Sequence, residues 1–355
     1  MKFTEANHHS SLKAPSLSVI IPVHNGGSSF RRCLNSLSQA TPLPEEIIVV
    51  ADGDTDGSAQ LAQEFGARVI RKPISEGPAK ARNLGAKEAT GEILYFVDAD
   101  VEICADAIAQ VKQAFTDSRL AALIGSYDDT PGEPNFLSQY KNLFHHYTHQ
   151  QASLEASTFW GACGAIRRDV FLAVGGFDES YRRPCVEDIE LGYRLRSKGY
   201  VIRLCKELQV KHLKRWEPVS LLRAEFFYRA LPWTALILRL QEAQPDNFQR
   251  VMKDLNLKPS SRLSVVLTYL FLAASIGSFW QPLGIVPAAT FLLVLVILNL
   301  PVYRFFWHKR GLVFTVQTIP WHLFYYFYSG LAFTIGVIRH QLDKARRPGI
   351  SLADS

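Results

Sequence analysis

The sequence predicts an α/β fold with a mostly parallel central sheet, followed by transmembrane helices. Three observations predict it. Short apolar, β-rich runs alternate with helix-period segments through the first hundred or so residues. Acids and glycines recur directly after those runs. Residues 263–303 and 311–338 contain no Asp, Glu, Lys or Arg.

Leu17-Ser18-Val19-Ile20-Ile21 reads as a first strand stopped by Pro22. Ser28 or Ser29 then caps a helix with Phe30, Cys33, Leu34 and Leu37 on one face. Glu46 to Val50 is strand two, and a short helix runs from about Ser58 to Phe65. Arg68-Val69-Ile70 is strand three. Pro78 to Ala89 is a helix opened by a favourably early proline. Ile93 to Val97 is the fourth strand, apolar throughout, as a buried parallel strand is. A helix near Asp106 to Phe115 presents Ile108, Val111 and Phe115. From Leu120 to Trp216 short strands mix with helices. Pro218 to Leu240 sets large apolar residues among Arg223, Glu225, Arg229 and Arg239, a pattern that suits a membrane interface.

The chain has 355 residues and a net charge of +6. That charge fits anionic lipid or a nucleotide diphosphate. No interleaved basic-aromatic motif is present, so no nucleic-acid partner is expected. Five cysteines without C-x-x-C spacing predict free thiols. The polar N-terminus has no apolar signal core, so residues before Arg262 are expected in the cytosol.

The chemistry gathers where strands end. Asn25-Gly26-Gly27 follows strand one, and Asp52-Gly53-Asp54-Thr55-Asp56-Gly57 follows strand two. Lys80-Ala81-Arg82-Asn83 opens the helix before strand four, and Asp98-Ala99-Asp100 follows that strand. Open α/β sheets bind ligands at this edge. Each group alone is also good turn chemistry. An Asp-x-Asp pair suits a hard divalent cation holding a diphosphate. Farther on lie Gly175-Gly176-Phe177-Asp178, Glu187-Asp188 at a helix start, and His212 ahead of Arg215-Trp216.

In this order the motifs resemble the family 2 glycosyltransferases, with their GT-A nucleotide-sugar-binding fold, over about Leu17 to Trp216. The resemblance implies an inverting, membrane-bound hexosyltransferase-like enzyme using a UDP- or GDP-type nucleotide-sugar donor with Mg²⁺ or Mn²⁺. It implies that Asp52 contacts the base, that Pro22, His24 and Asn25 line the nucleotide pocket, and that Arg82 lies near the diphosphate. By the same resemblance Asp98 would face the ribose or sugar, and Arg215 and Trp216 would belong to the donor side. Asp100 would ligate the metal, His212 would complete the metal or diphosphate site, and Asp188 would be the catalytic base. The chain departs from the family pattern in three places. Gly26 stands where an acid is frequent, and Ala51-Asp52 where Asp-Asp is frequent. His212-x-x-Arg215-Trp216 replaces the Gln-x-x-Arg-Trp of processive synthases, which favours transfer of a single sugar. The competing readings are a processive polysaccharide synthase and a non-catalytic nucleotide-sugar-binding membrane protein. The absence of G-x-G-x-x-G after strand one argues against a dinucleotide enzyme.

The expected organisation is a polar tail (1–16), the sheet domain (17–217), an amphipathic interfacial segment (218–262), a membrane segment of two or three helices (263–340) and a basic tail (341–355). A spanning helix needs about 20 apolar residues, so 263–303 holds two, broken near Gln281-Pro282, and 311–338 holds one. This predicts a multi-pass protein of the cell membrane, its catalytic domain cytoplasmic, with a lipid or lipid-linked acceptor. The basic groups Arg304/His308/Lys309/Arg310 and Arg339/Lys344/Arg346/Arg347 both belong in the cytosol by the positive-inside rule. Three complete spans from a cytosolic start cannot put them there. Either one segment is re-entrant or interfacial, or the tail breaks the rule.

Overall fold

The computed structural model describes residues 14–243 and 259–346. The polar tail up to residue 13, residues 244–258 of the amphipathic segment and the tail from Arg347 onward lie outside the described residues.

Eight strands form one sheet in the order β3-β2-β1-β4-β7-β6-β8-β5. They are β1 (Leu17–Val23), β2 (Glu46–Asp52), β3 (Arg68–Lys72), β4 (Ile93–Val97), β5 (Val101–Ile103), β6 (Leu120–Tyr127), β7 (Cys163–Arg167) and β8 (Val201–His212). The half from β3 to β4 is parallel throughout. Beyond β4 the sheet is mixed: β7 runs antiparallel to both neighbours, β6 and β8 are parallel, and β5 is antiparallel to β8. The expected parallel character is therefore complete in the first half of the sheet only.

Helices cover both faces: α1 (Gly27–Ser38), α2 (Ser58–Glu64), α3 (Pro78–Glu88), α4 (Ala107–Ala114), α5 (Phe136–Gln150), α6 (Arg168–Ala173) and α7 (Glu187–Ser197). The two-residue period of β1 sends Leu17, Val19 and Ile21 into one core layer with Phe30, Cys33 and Leu34 of α1. It sends Ile20 into the other, with Ala79 and Ala81 of α3 and Leu191 of α7. The apolar face of α1 is as the periodicity predicts, but its N-cap is Gly26, with no side-chain cap. A cap is worth about 1 kcal/mol, whereas each large buried side chain on the stripe contributes about 1.5–3 kcal/mol. Packing therefore holds α1. Pro22 does not end β1. The pairing with β4 stops at Ile20, so Pro22 has only Val50 of β2 beside it, and its missing N–H falls where one side of the strand has no partner.

A helical layer completes the described chain. It comprises α8 (Pro218–Arg223), a π-helical turn (Ala224–Ala230), α9 (Leu231–Ala243), α10 (Pro259–Gly277), a 3₁₀ turn (Pro282–Gly284), α11 (Ile285–Leu298) and α12 (Leu300–Ala345). α12 breaks at Gly311, whose φ of 81° is non-helical. The break is a reversal. Phe306 meets Phe314, Tyr303 meets His322, and Tyr326 bonds Asn299. Residues 312–345 therefore fold back along 300–310. Among the described residues one helix, Pro259–Gly277, is long and apolar enough to cross a membrane, or two if the bent pair after it counts as one span. The uncharged stretch 311–338 packs on protein along one side, with Phe314 against Phe136 and His322 against Phe144 of α5, and exposes Leu312, Val313, Val316, Phe333 and Ile338 on the other. All five cysteines are free.

Candidate active site

The site lies at the carboxyl ends of the central strands and is organised by Arg82 of α3. This guanidinium is buried. It donates through Nη2 to Asp98 Oδ1 at 2.6 Å and through Nη1 to Glu187 Oε1 at 2.9 Å. Its plane lies over the Phe177 ring, 5.4 Å from the centroid. Burial alone would lower its pKa, but Asp98 and Glu187 outweigh burial and hold it above its usual value. A buried cation between two carboxylates fixes all three groups, because removing any one strands the others' charge. Arg82 thus joins the Asp-x-Asp turn after β4 to the start of α7.

Asp188 sits next to Glu187 in the first turn of α7. Its Oδ2 accepts from the Gly161 N–H at 3.1 Å and its Oδ1 from the Ile189 N–H at 2.8 Å. Loss of solvation and the neighbouring Glu187 charge push its pKa up to about 6, against the opposing pull of Gly161 and Arg82. A carboxylate tuned towards neutrality is suited to accept a proton.

Asp100 faces His212 at the end of β8, with Nε2 3.6 Å from Oδ2. Two contacts set this pairing: the Leu213 N–H donates to the Asp100 carbonyl at 2.8 Å, and Val101 is in register with His212. His212 is buried and stacked on Tyr127, ring centroids 4.6 Å apart. Its Nδ1 lies 2.8 Å from Asn142 Oδ1. Donor and acceptor in that contact depend on the ring's tautomer, and Nε2 is the ring nitrogen turned to Asp100. Burial raises the Asp100 pKa and His212 lowers it, and the net is below the usual carboxylate range.

The nucleotide-side residues are placed differently. Asp52 is buried, and its oxygens accept from Ser75 Oγ and Gly77 N at 2.8 Å each, and from Glu76 N at 3.0 and 3.1 Å. Asn25 has φ of 53°, and its Oδ1 accepts from the Thr55 N–H at 2.8 Å. His24 Nδ1 lies 2.8 Å from the Asp52 carbonyl oxygen. Asp56 accepts from the Gly27 and Ser58 N–H groups. These side chains interlock the loops after β1, β2 and β3 and fix that rim. Pro22 is buried in β1. Arg215 is exposed and paired with Glu217 and Glu133. Trp216 is buried with Leu137 and Leu221. The structure therefore brings together Arg82, Asp98, Glu187 and Asp188, and separately Asp100 and His212. It leaves Trp216 in a core cluster.

Sequence reasoning gave no role to Glu187, Gly161, Tyr127 or Asn142. Glu187 was visible beside Asp188, but nothing local says that it faces α3. Asn142 lies in α5, 70 residues before His212, and no periodicity marks it.

Residues 18–175 match the family model described as Glycosyl transferase family 2. The uncharacterized glycosyltransferase YibD of Escherichia coli (strain K12) is 41% identical over 92 residues, 24% of this chain and 26% of that protein. The O-antigen chain rhamnosyltransferase WbaN of Salmonella anatum is 22% identical over 240 residues, 62% of this chain and 74% of that one. Among solved structures, the mannosyltransferase PcManGT from Pyrobaculum calidifontis in complex with GDP-Man and Mn²⁺ is similar with a TM-score of 0.53 at 17% identity. That similarity covers 91% of this chain and 88% of the other, so it extends past the sheet domain into the carboxyl-terminal helices.

Proposed function

The chain is a family 2 glycosyltransferase of GT-A fold, matched over residues 18–175, and from that premise we propose that it transfers one sugar, with inversion, from a nucleotide-diphosphate donor to a lipid or lipid-linked acceptor at a membrane surface. The arrangement of Asp188 beside the Arg82–Asp98–Glu187 network carries this reading. It sets a carboxylate of raised pKa next to a rigid strand-end turn where a donor sugar is expected.

In the proposed reaction the acceptor hydroxyl oxygen bonds to the anomeric carbon as the bond from that carbon to the diphosphate oxygen breaks. Asp188 takes the hydroxyl proton, and the Gly161 and Ile189 amides keep its carboxylate oriented. A positioned base contributes about 10²–10⁴-fold. Arg82 is committed to two carboxylates, so it serves by locking Asp98 and α7. Asp100 and His212 fit Mg²⁺ or Mn²⁺, since a carboxylate oxygen and an imidazole nitrogen, both ligand types for such ions, face each other. Among the described residues no group of three or more His, Cys, Asp or Glu could hold an ion alone. Such an ion would take its remaining ligands from the donor's phosphates and water, as Mg²⁺ commonly does. When bound it supplies charge compensation at the leaving diphosphate.

The enzyme in detergent, given a panel of UDP- and GDP-sugars with membrane lipid extract and read by mass spectrometry, tests the reading. One donor should yield a lipid product heavier by a single sugar. A polymeric product, or activity on soluble acceptors alone, would overturn the acceptor assignment. No donor turnover with either Mg²⁺ or Mn²⁺ would overturn catalysis.

A further inference from the structure

We infer that α10 and α11 form a re-entrant hairpin that enters the bilayer from the side of the catalytic domain and returns to that side, leaving both basic groups of the carboxyl-terminal region there. The inference rests on the membrane reading above and decides what charge counting left open.

The hairpin projects from a polar base. Asn299 Nδ2 donates to Ser264 Oγ at 3.1 Å, and Tyr326 Oη donates to Asn299 Oδ1 at 2.7 Å. Tyr269 Oη donates to the Phe327 carbonyl at 2.9 Å. Beyond this base the two helices pack chiefly on each other and expose apolar side chains. At the tip Phe279, Trp280 and Leu283 are 87%, 79% and 72% exposed. No charged side chain occurs from Leu263 to Tyr303. A patch of that kind in water is a liability, and its chemistry matches hydrocarbon. The turn backbone is also prepared for lipid. The N–H groups of Phe279, Trp280, Gln281 and Gly284 donate to carbonyls within the turn or the end of α10, and Pro282 has none to satisfy. Hydrocarbon tolerates only backbone satisfied in this way.

The shorter arm limits the depth of the hairpin. From Ser264 to Trp280 a helix rises about 24 Å, and from Asn299 back to Ile285 about 21 Å; α10 counted from Pro259 is long enough to cross, but the 14 residues of α11 are not. A hydrocarbon core is about 30 Å thick. The tip therefore passes the midplane without reaching the far interface.

Contacts fix where both ends lie. Lys309 pairs with Asp129 at 2.5 Å, and Arg310 donates to Gln139 Oε1 and to the Asp129 carbonyl. His340 and Lys344 pair with Glu242 of α9. Lys309 and Arg310 are thus bonded to the catalytic body, and His340 and Lys344 to the helix that continues from it. The stretch 311–338 supplies no further crossing, since Tyr328 reaches Glu225 and His322 is enclosed by Tyr303, Phe144 and Tyr326.

The test uses the full chain reconstituted in vesicles of both orientations, carrying Ser278→Cys, His308→Cys or Asp343→Cys, with a membrane-impermeant maleimide. The unsubstituted chain gives the background, because its five cysteines all lie in the sheet domain. Positions 308 and 343 should label when the catalytic domain faces outward and lose labelling when it faces inward. Position 278 should stay silent in both until detergent is added. Quenching of Trp280 by lipids brominated at different depths, taken as the difference from Trp280→Phe, should be strongest near the chain ends. Labelling of 278 or 343 in vesicles whose catalytic domain faces inward would overturn the hairpin. Release of the unsubstituted chain by alkaline carbonate would instead refute membrane insertion itself.

Discussion

Asp188 has a pKa pushed up to about 6 chiefly by loss of solvation and by Glu187. The sign of its effect on activity follows directly. Below about pH 6 the carboxyl is protonated and cannot take the acceptor proton, so kcat/KM should fall on the acid side with a midpoint near 6. Glu187→Gln removes the like charge and should move that midpoint to lower pH, while Arg82 keeps Asp98 as its partner. A rate profile of the two proteins across pH 4–8 (roughly the window for carboxylates and His) checks it; an unmoved midpoint would remove Glu187 as a cause. Asp188→Asn should lower turnover by about 10²–10⁴-fold yet retain donor binding by calorimetry. It should not lower the melting temperature near neutral pH. A group whose folded pKa is raised contributes stability at low pH that is lost as pH rises through that pKa, so the ionised carboxylate opposes folding there. Asp100→Ala should behave differently, losing the metal dependence of donor binding. The Glu187-Asp188 pair was legible because two acids open a helix. The pKa that makes Asp188 useful was not, since it depends on Gly161 and on burial.

The loops after the strands show what turn chemistry can conceal. Asp52 reads in sequence as a donor contact, yet its carboxylate is occupied by Ser75, Glu76 and Gly77. Asp52→Ala leaves buried amides without partners, at about 1–3 kcal/mol for each unsatisfied group. It should therefore lower the melting temperature and, by loosening the start of α3 and so Arg82, raise the donor KM. A stable variant with unchanged KM would leave Asp52 no part in the site. α7 depends on close approach. A Cβ at Gly192 would lie 2.1 Å from the Phe159 amide nitrogen. Gly192→Ala should destabilise the fold by about 1–3 kcal/mol or more, which denaturant melts would register. β1 to β4 were legible from apolar runs and punctuation. β5, three residues long, carries too little alternation to be seen, and the placement of antiparallel β7 between β4 and β6 is a tertiary choice that no local pattern encodes.

Across the whole molecule, absence of charge and exposure to lipid are different properties. The stretch 311–338 lacks charge, yet it is rich in Trp, Tyr, His and Thr, and its His322, Tyr325 and Tyr326 find partners on α5 and at Asn299. The stretch 263–303 also lacks charge, but beyond its base it offers Leu, Val, Ile and Phe to the outside. The second is the surface a bilayer would cover, and it is joined through Tyr326 and α12 to the same α5 that orients His212 through Asn142. The proposed anchor and the proposed catalytic site would therefore be mechanically adjacent but chemically separate. That separation gives a prediction for Phe279→Asp combined with Trp280→Asp and Leu283→Asp. All three side chains are exposed at the tip, so the substitutions should leave the melting temperature and metal-dependent donor hydrolysis unchanged. Placing charge in hydrocarbon costs about 2.5–3.5 kcal/mol per Asp on insertion scales, so the variant should leave the membrane fraction. Transfer to lipid acceptors in vesicles should fall with it, and transfer to the same acceptors dispersed in detergent should persist. If lipid transfer in vesicles survived the loss of anchoring, the hairpin would not be what brings this enzyme to its acceptor.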